Sequence, residues 1–201
     1  MTELAVLQAV RLKGRVSPAD LAVTLAADVE ARTEQLAQEG LLIGGATLRI
    51  SPAGRERLTA LLAAERDGVD RAAITAIYDD FADVNTEFKA LVTDWQLKGG
   101  PAGQPNTHDD ADYDAAVLAR LDAVHARVLP IIAAAAAELP RLSAYSTKLD
   151  AALRKVKAGD SAWLTRPLVD SYHTVWFEWH EELIGAAGLT REEAARSGDA
   201  Q

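Results

Sequence analysis

The stretch SPADLAVTLAADVEARTEQLAQEGLLIGGATLRISPAGRERL, Ser17 to Leu58, changes its local character several times in quick succession, and the order of those changes decides the fold. Ser17 suits an N-cap and Pro18 the first helical position, so SPADLAVTL starts a helix. Asp28 caps the next, VEARTEQLAQEG, which Gly40 closes. LLI and TLRI are each too short for a helix and are separated by Gly44-Gly45-Ala46, a hairpin turn composition. SPAG then opens a further helix, RERLTALLAAER. Upstream, ELAVLQAVRLKG places Leu4, Leu7 and Val10 at helical spacing and stops at Gly14. The expected order is three helices, a small hairpin and a helix, which is the order of a winged helix.

Charge separates this region from the rest. Up to Arg66 there are eight basic and eight acidic residues, so the whole formal charge of −9 arises beyond it. That excess disfavours polyanion binding by the second region and leaves it open to the first. Cysteine is absent, which excludes disulfides, thiolate metal sites and cysteine nucleophiles. The first residues lack the basic start, apolar middle and cleavage site of a signal peptide, and no uncharged apolar run approaches the ~20 residues of a membrane span. The expectation is a cytoplasmic protein with no membrane partner.

From residue 67 to 201 the chain reads as entirely helical. AAITAIYDDFADVNTEFKALVTDWQL carries Ile74, Ile77, Phe81, Val84, Phe88, Leu91, Val92 and Trp95 along one stripe and ends at Gly99-Gly100-Pro101. The polar loop GGPAGQPNTHDD follows. A second helix is expected from about Asp110 to Leu139, kinked or divided at Pro130, with the small run Ala133 to Ala137 allowing close approach of a neighbour. A third starts at Pro140, and a fourth starts at Thr165 and Pro167 and runs to Gly188. Thr190 and Glu193 have capping-box spacing for a short tail helix. Four amphipathic segments imply a four-helix bundle-like domain, so the fold class is mostly α, with a 1–66 winged helix and a 67–201 acidic helical domain.

The first region resembles the winged helix-turn-helix of MarR-like and PadR-like bacterial regulators. The matching words are SPADLAVTL, then VEARTEQLAQEGLL with Leu36, Gly40 and Leu41, then LRISPAGRERL. The resemblance spans residues 3–66 and consists of core and turn positions. It implies a homodimer that sets one recognition helix in each of two adjacent major grooves, with ligand binding in the helical region changing their spacing. It places DNA contacts at Arg11, Lys13, Arg15, Arg32, Thr33, Gln35 and Arg49. Three features depart from the family: Glu30, Ala31 and Glu34 begin the recognition helix, the wing is cut to Gly44-Gly45-Ala46, and the N-terminal dimerisation helix is missing. Dimerisation would then fall to the helical domain. The alternative is a regulatory or adaptor protein that uses the winged helix for protein contacts alone.

Chemistry in the second region centres on SYHTVWFEWHEEL, Ser171 to Leu183. On a wheel of about 100° per residue, Tyr172, His173, Trp176, Phe177, Trp179 and His180 fall inward and Glu178, Glu181 and Glu182 outward. HEE is not a zinc-protease HExxH, because Ile184 stands where its second histidine is needed. Asp122 with His125, and Asp170 with His173, are both Asp-x-x-His, a shorter-armed version of the Glu-x-x-His pairs by which ferritin-like bundles hold two metals. Asp80, Asp83, Glu87 and Asp150 are the carboxylates available to complete it, and a metal-binding bundle is the third reading. Asn85, His125, Tyr172, His173, Trp176 and His180 are the candidates for a small-molecule effector pocket. For Asn85, His125, His173 and His180 the plainer role is hydrogen bonding within the core. No catalytic constellation and no cofactor motif is present, so an enzyme is not expected.

Overall fold

The computed structural model describes residues 1–196 and is mostly helical, 71%. The chain divides into two compact units, 1–68 and 69–201, each with its own apolar core.

The first unit runs α1 (Glu3–Lys13), α2 (Pro18–Leu25), α3 (Glu30–Gln38), β1 (Leu42–Ile43), β2 (Arg49–Ile50) and α4 (Pro52–Arg66). Its helix starts follow side-chain caps: Thr2, Ser17 and Ser51 accept from the amides of Ala5, Asp20 and Gly54. At α3 the capping position belongs to Val29, while Asp28 Oδ1 accepts from the Glu30 amide two residues on. The strands pair antiparallel, Leu42 with Ile50 and Ile43 with Arg49, and a bridge from Val16 to Leu48 adds a short third edge. Val6, Leu7, Val10, Leu21, Leu36 and Leu58 form the centre of the core.

SPAG does more than start α4. Ser51 Oγ donates to the Gly40 carbonyl at 2.6 Å and accepts from the Gly54 amide at 2.9 Å, tying the end of α3 to the start of α4. Gly54 sits so close beneath that junction that a Cβ there would stand 2.1 Å from the Leu41 carbonyl oxygen. Only glycine fits.

The second unit contains α5 (Arg71–Gln96), β3 (Leu97–Lys98), β4 (Gln104–Pro105), α6 (Ala111–Glu138), α7 (Ala144–Lys157), α8 (Tyr172–Ala186) and α9 (Arg191–Arg196). It is not entirely helical. The chain after α5 folds back as an antiparallel pair, Leu97 with Pro105 and Lys98 with Gln104. The polar loop is organised there: Asn106 Nδ2 donates to the Trp95 carbonyl and to Asp114 Oδ1, His108 lies 2.9 Å from Asp114 Oδ2, and Asp110 caps α6. α6 runs unbroken through Pro130, whose missing N–H leaves the Ala126 carbonyl without its helical donor.

The fourth long helix begins later than the Thr165 and Pro167 signals predict. A 3-10 turn, Ser161–Leu164, precedes an irregular loop in which Leu168 has φ 63, and α8 starts only where Ser171 caps the Thr174 amide. Thr190 and Glu193 form the reciprocal capping box of α9. Among the described residues no helix is long and apolar enough to cross a membrane.

Candidate functional site

α3 decides what the first unit can touch. Its outward side chains are Glu30, Ala31, Glu34, Gln35 and Gln38, while Thr33 and Leu36 are buried. Thr33 therefore does not belong to an exposed reading face, and its hydroxyl donates to the Glu30 carbonyl. Arg32 is half-buried on the flank: Nη1 donates to Gln35 Oε1 at 2.8 Å, and Nη2 lies 4.0 Å from Glu3 Oε2. Gln35 in turn donates to Glu39. The expected contacts Arg32 and Gln35 are thus joined in a chain of side chains along the protein surface.

That chain continues into α4. Arg57 donates to both oxygens of Glu3, at 2.8 and 3.1 Å. The hydrogen bond from Arg57, strengthened by the charges of Arg57 and Arg32, holds the Glu3 carboxyl below its ordinary range despite some desolvation. Of the other expected DNA contacts, Arg11 and Lys13 are half-buried in the last turn of α1, where cations suit a helix C-terminus. Arg15 and Arg49 are exposed, and the Val16–Leu48 bridge sets them opposite each other.

Beside α3 lies a cleft of about 430 Å³. Ala22, Val29, Ala37 and Leu48 contribute apolar surface, and Asp28, Glu30 and Glu34 contribute carboxylates. Neither Glu30 nor Glu34 has a side-chain ion pair among the described residues. No cation lines the cleft.

In the second unit the candidate residues separate into distinct packing groups. The Trp176 indole N–H donates to Asn85 Oδ1 at 2.9 Å, with both side chains buried, and its ring stacks 4.3 Å from Phe88. His180 packs against Phe81 and Tyr78. His125 sits between Asp150, 2.8 Å from Nε2, and the Tyr172 hydroxyl, 3.1 Å from Nδ1. A carboxylate can only accept, so Nε2 carries the proton, and in the neutral imidazole Nδ1 then accepts from the tyrosine hydroxyl. Burial first, and then the charges of Asp150 and Asp122, push the Tyr172 phenol up, which keeps it a donor.

The inward and outward faces of α8 need correction. His173 is exposed at the edge of the Phe88 ring, and desolvation holds its imidazole below the ordinary histidine range. Phe177 is 40% exposed, whereas Glu178 and Glu182 are each 3% exposed. The helix packs against α7 as well as α5, so its buried arc is wider than one apolar stripe. Arg141 donates to Glu182 at 2.6 Å, Tyr145 donates to Glu182 Oε1, and Lys148 lies 3.8 Å from Glu178. Burial, followed by the Glu182 and Glu178 charges, holds the Tyr145 phenol well above its usual range.

The aromatic residues expected to line an effector pocket are packed against Phe81 and Phe88 instead. A cleft on this unit, about 480 Å³ between α5 and α6, is lined by Asp80, Asp83, Arg127 and Pro130 among others. The Asp-x-x-His pairs do not converge on an ion: both ring nitrogens of His125 have partners, Asp122 pairs with Lys157, and Glu87 pairs with Arg127. Among the described residues no three metal-ligating side chains stand together.

The candidate site that sequence reasoning missed is the α3 cleft. Its signal was present in Glu30 and Glu34, four residues apart and hence on one helix face. No protein-family model, no curated protein and no solved structure matches the chain.

Proposed function

We propose that the protein is a regulatory or adaptor protein whose N-terminal unit is a winged helix used for protein contacts rather than for reading DNA. The observation that carries this is the outer face of α3, which presents Glu30 and Glu34 while its one arginine is engaged with Gln35 and faces Glu3. A recognition helix lies among phosphates, where cations gain from counterion release and carboxylates repel. Thr33, the hydroxyl best placed in sequence for a base edge, is inside. An acidic rim around an apolar cleft suits a partner that brings cations and an apolar side chain.

A DNA-binding regulator is the second reading, and one observation favours it. Arg15 and Arg49 stand opposite each other on the exposed edge of the hairpin, where wing cations of such regulators meet DNA. Repeated selection from a randomised duplex pool tests the two. The full-length chain is expected to enrich no motif; enrichment of a palindrome with half-sites about one helical turn apart overturns the protein-contact reading.

A further inference from the structure

The loop before α8 holds a leucine in an unusual state. Leu168 is 101% exposed and has φ 63, a left-handed conformation that costs an L-residue energy and that glycine would adopt freely. The loop is pinned on both sides, the Arg166 amide donating to the Ala162 carbonyl and the Ser171 amide to that of Val169. The turn thus presents an apolar side chain that nothing in its own unit covers. Strain combined with exposure points to a purpose outside the fold.

The chain around this leucine is basic in an otherwise acidic unit. Residues 154–170 contain Arg154, Lys155, Lys157 and Arg166 against Asp160 and Asp170. Lys157 is paired with Asp122, Lys155 lies 3.2 Å over the Trp163 ring, and Arg166 lies 6.0 Å from that ring and 3.5 Å from Asp160. Its partner should therefore offer an apolar socket edged with carboxylates. The cleft beside α3 has that composition: Ala22, Val29, Ala37 and Leu48 with Asp28, Glu30 and Glu34.

We propose that Leu168 of one copy seats in the α3 cleft of a second copy, with Arg166 and Lys155 meeting Glu30 and Glu34. This rests on the reading of α3 as a protein-contact face. Exchanged reciprocally, the contact closes as a two-fold dimer; made one way it would propagate, so a closed dimer is the expected state. An anionic membrane is a poorer occupant, because such attachment draws on clusters of about four to eight cations and the rest of this unit is acidic.

Sedimentation velocity of the full-length chain over about 1–100 μM tests the contact. The wild type is expected to dimerise with an affinity that falls as salt rises. Leu168→Gly suits the left-handed backbone, so its melting temperature should hold or rise while dimerisation weakens about tenfold or more. Arg166→Glu and the pair Glu30→Lys with Glu34→Lys should each weaken the dimer, and combining the three should restore it in part. A monomer at every concentration overturns the inference, as does a dimer indifferent to Leu168→Gly and to both charge reversals. Duplex retention of the same samples separates the two failures: monomers that ignore DNA remove this contact alone, whereas salt-dependent DNA binding lost on replacing α3 residues removes the underlying reading as well.

Discussion

An arginine on an exposed helix serves a nucleic acid only when its guanidinium can leave the protein surface. Arg32 is half-buried, donates to Gln35 and faces Glu3, so releasing it would break a surface network that also involves Arg57 and Glu39. In the second unit the consequential charges are inside. Glu182 is 3% exposed and relies on Arg141 and Tyr145. Arg141→Ala should cost about 3 kcal/mol or more in urea unfolding, because it leaves a carboxylate buried without its cation. Replacing both members, Arg141→Leu with Glu182→Leu, should cost much less. The helical wheel set Glu178 and Glu182 outward because they fall opposite the face that carries the aromatics. It could not see that Arg141, on the turn before α7, and Lys148, on α7, supply cations to meet them, since those lie some thirty to forty positions earlier in the chain.

At the scale of elements, starts marked by side-chain caps were legible. Ser17 with Pro18, Ser51 with Pro52, and Thr190 with Glu193 all begin helices where their chemistry says they should. The start of α8 was not, because Thr165 and Pro167 carry the same chemistry while a 3-10 turn and the left-handed Leu168 delay the helix to Tyr172. The glycine of SPAG was legible as part of a helix start, but its close approach to the Leu41 carbonyl is a tertiary fact. Gly54→Ala should therefore destabilise the first unit by about 1–3 kcal/mol or more in urea unfolding, against the usual gain from replacing a helical glycine by alanine. α1 is tied to α4 through Glu3. The folded-state pKa of Glu3 lies below the ordinary 4.5, so its contribution is present above that value and is lost as pH falls through the folded pKa. Glu3→Gln should accordingly unfold at lower urea than the wild type near about pH 7, and the gap should narrow near about pH 3.

For the whole molecule, the change in charge near residue 66 and the change from short mixed elements to long helices already indicated two parts. The structure divides at 68, close to that point. Helical content was legible because amphipathic stripes such as Ile74 to Trp95 are long and regular. The hairpin after α5 was not, since its strands are two residues each and its ordering depends on Asn106, His108 and Asp114 meeting Trp95. What distinguishes a reader of DNA from a protein-contact module here is the disposition of a few side chains on α3: the shared face of Glu30 and Glu34 was legible, whereas the burial of Thr33 and the engagement of Arg32 are tertiary facts. The slope of log affinity against log salt for duplex DNA measures that distinction directly. A slope near zero for the full-length chain is predicted, as for a surface that neutralises no phosphates; a slope of about −3 or steeper, abolished by Arg15→Glu with Arg49→Glu, would contradict it.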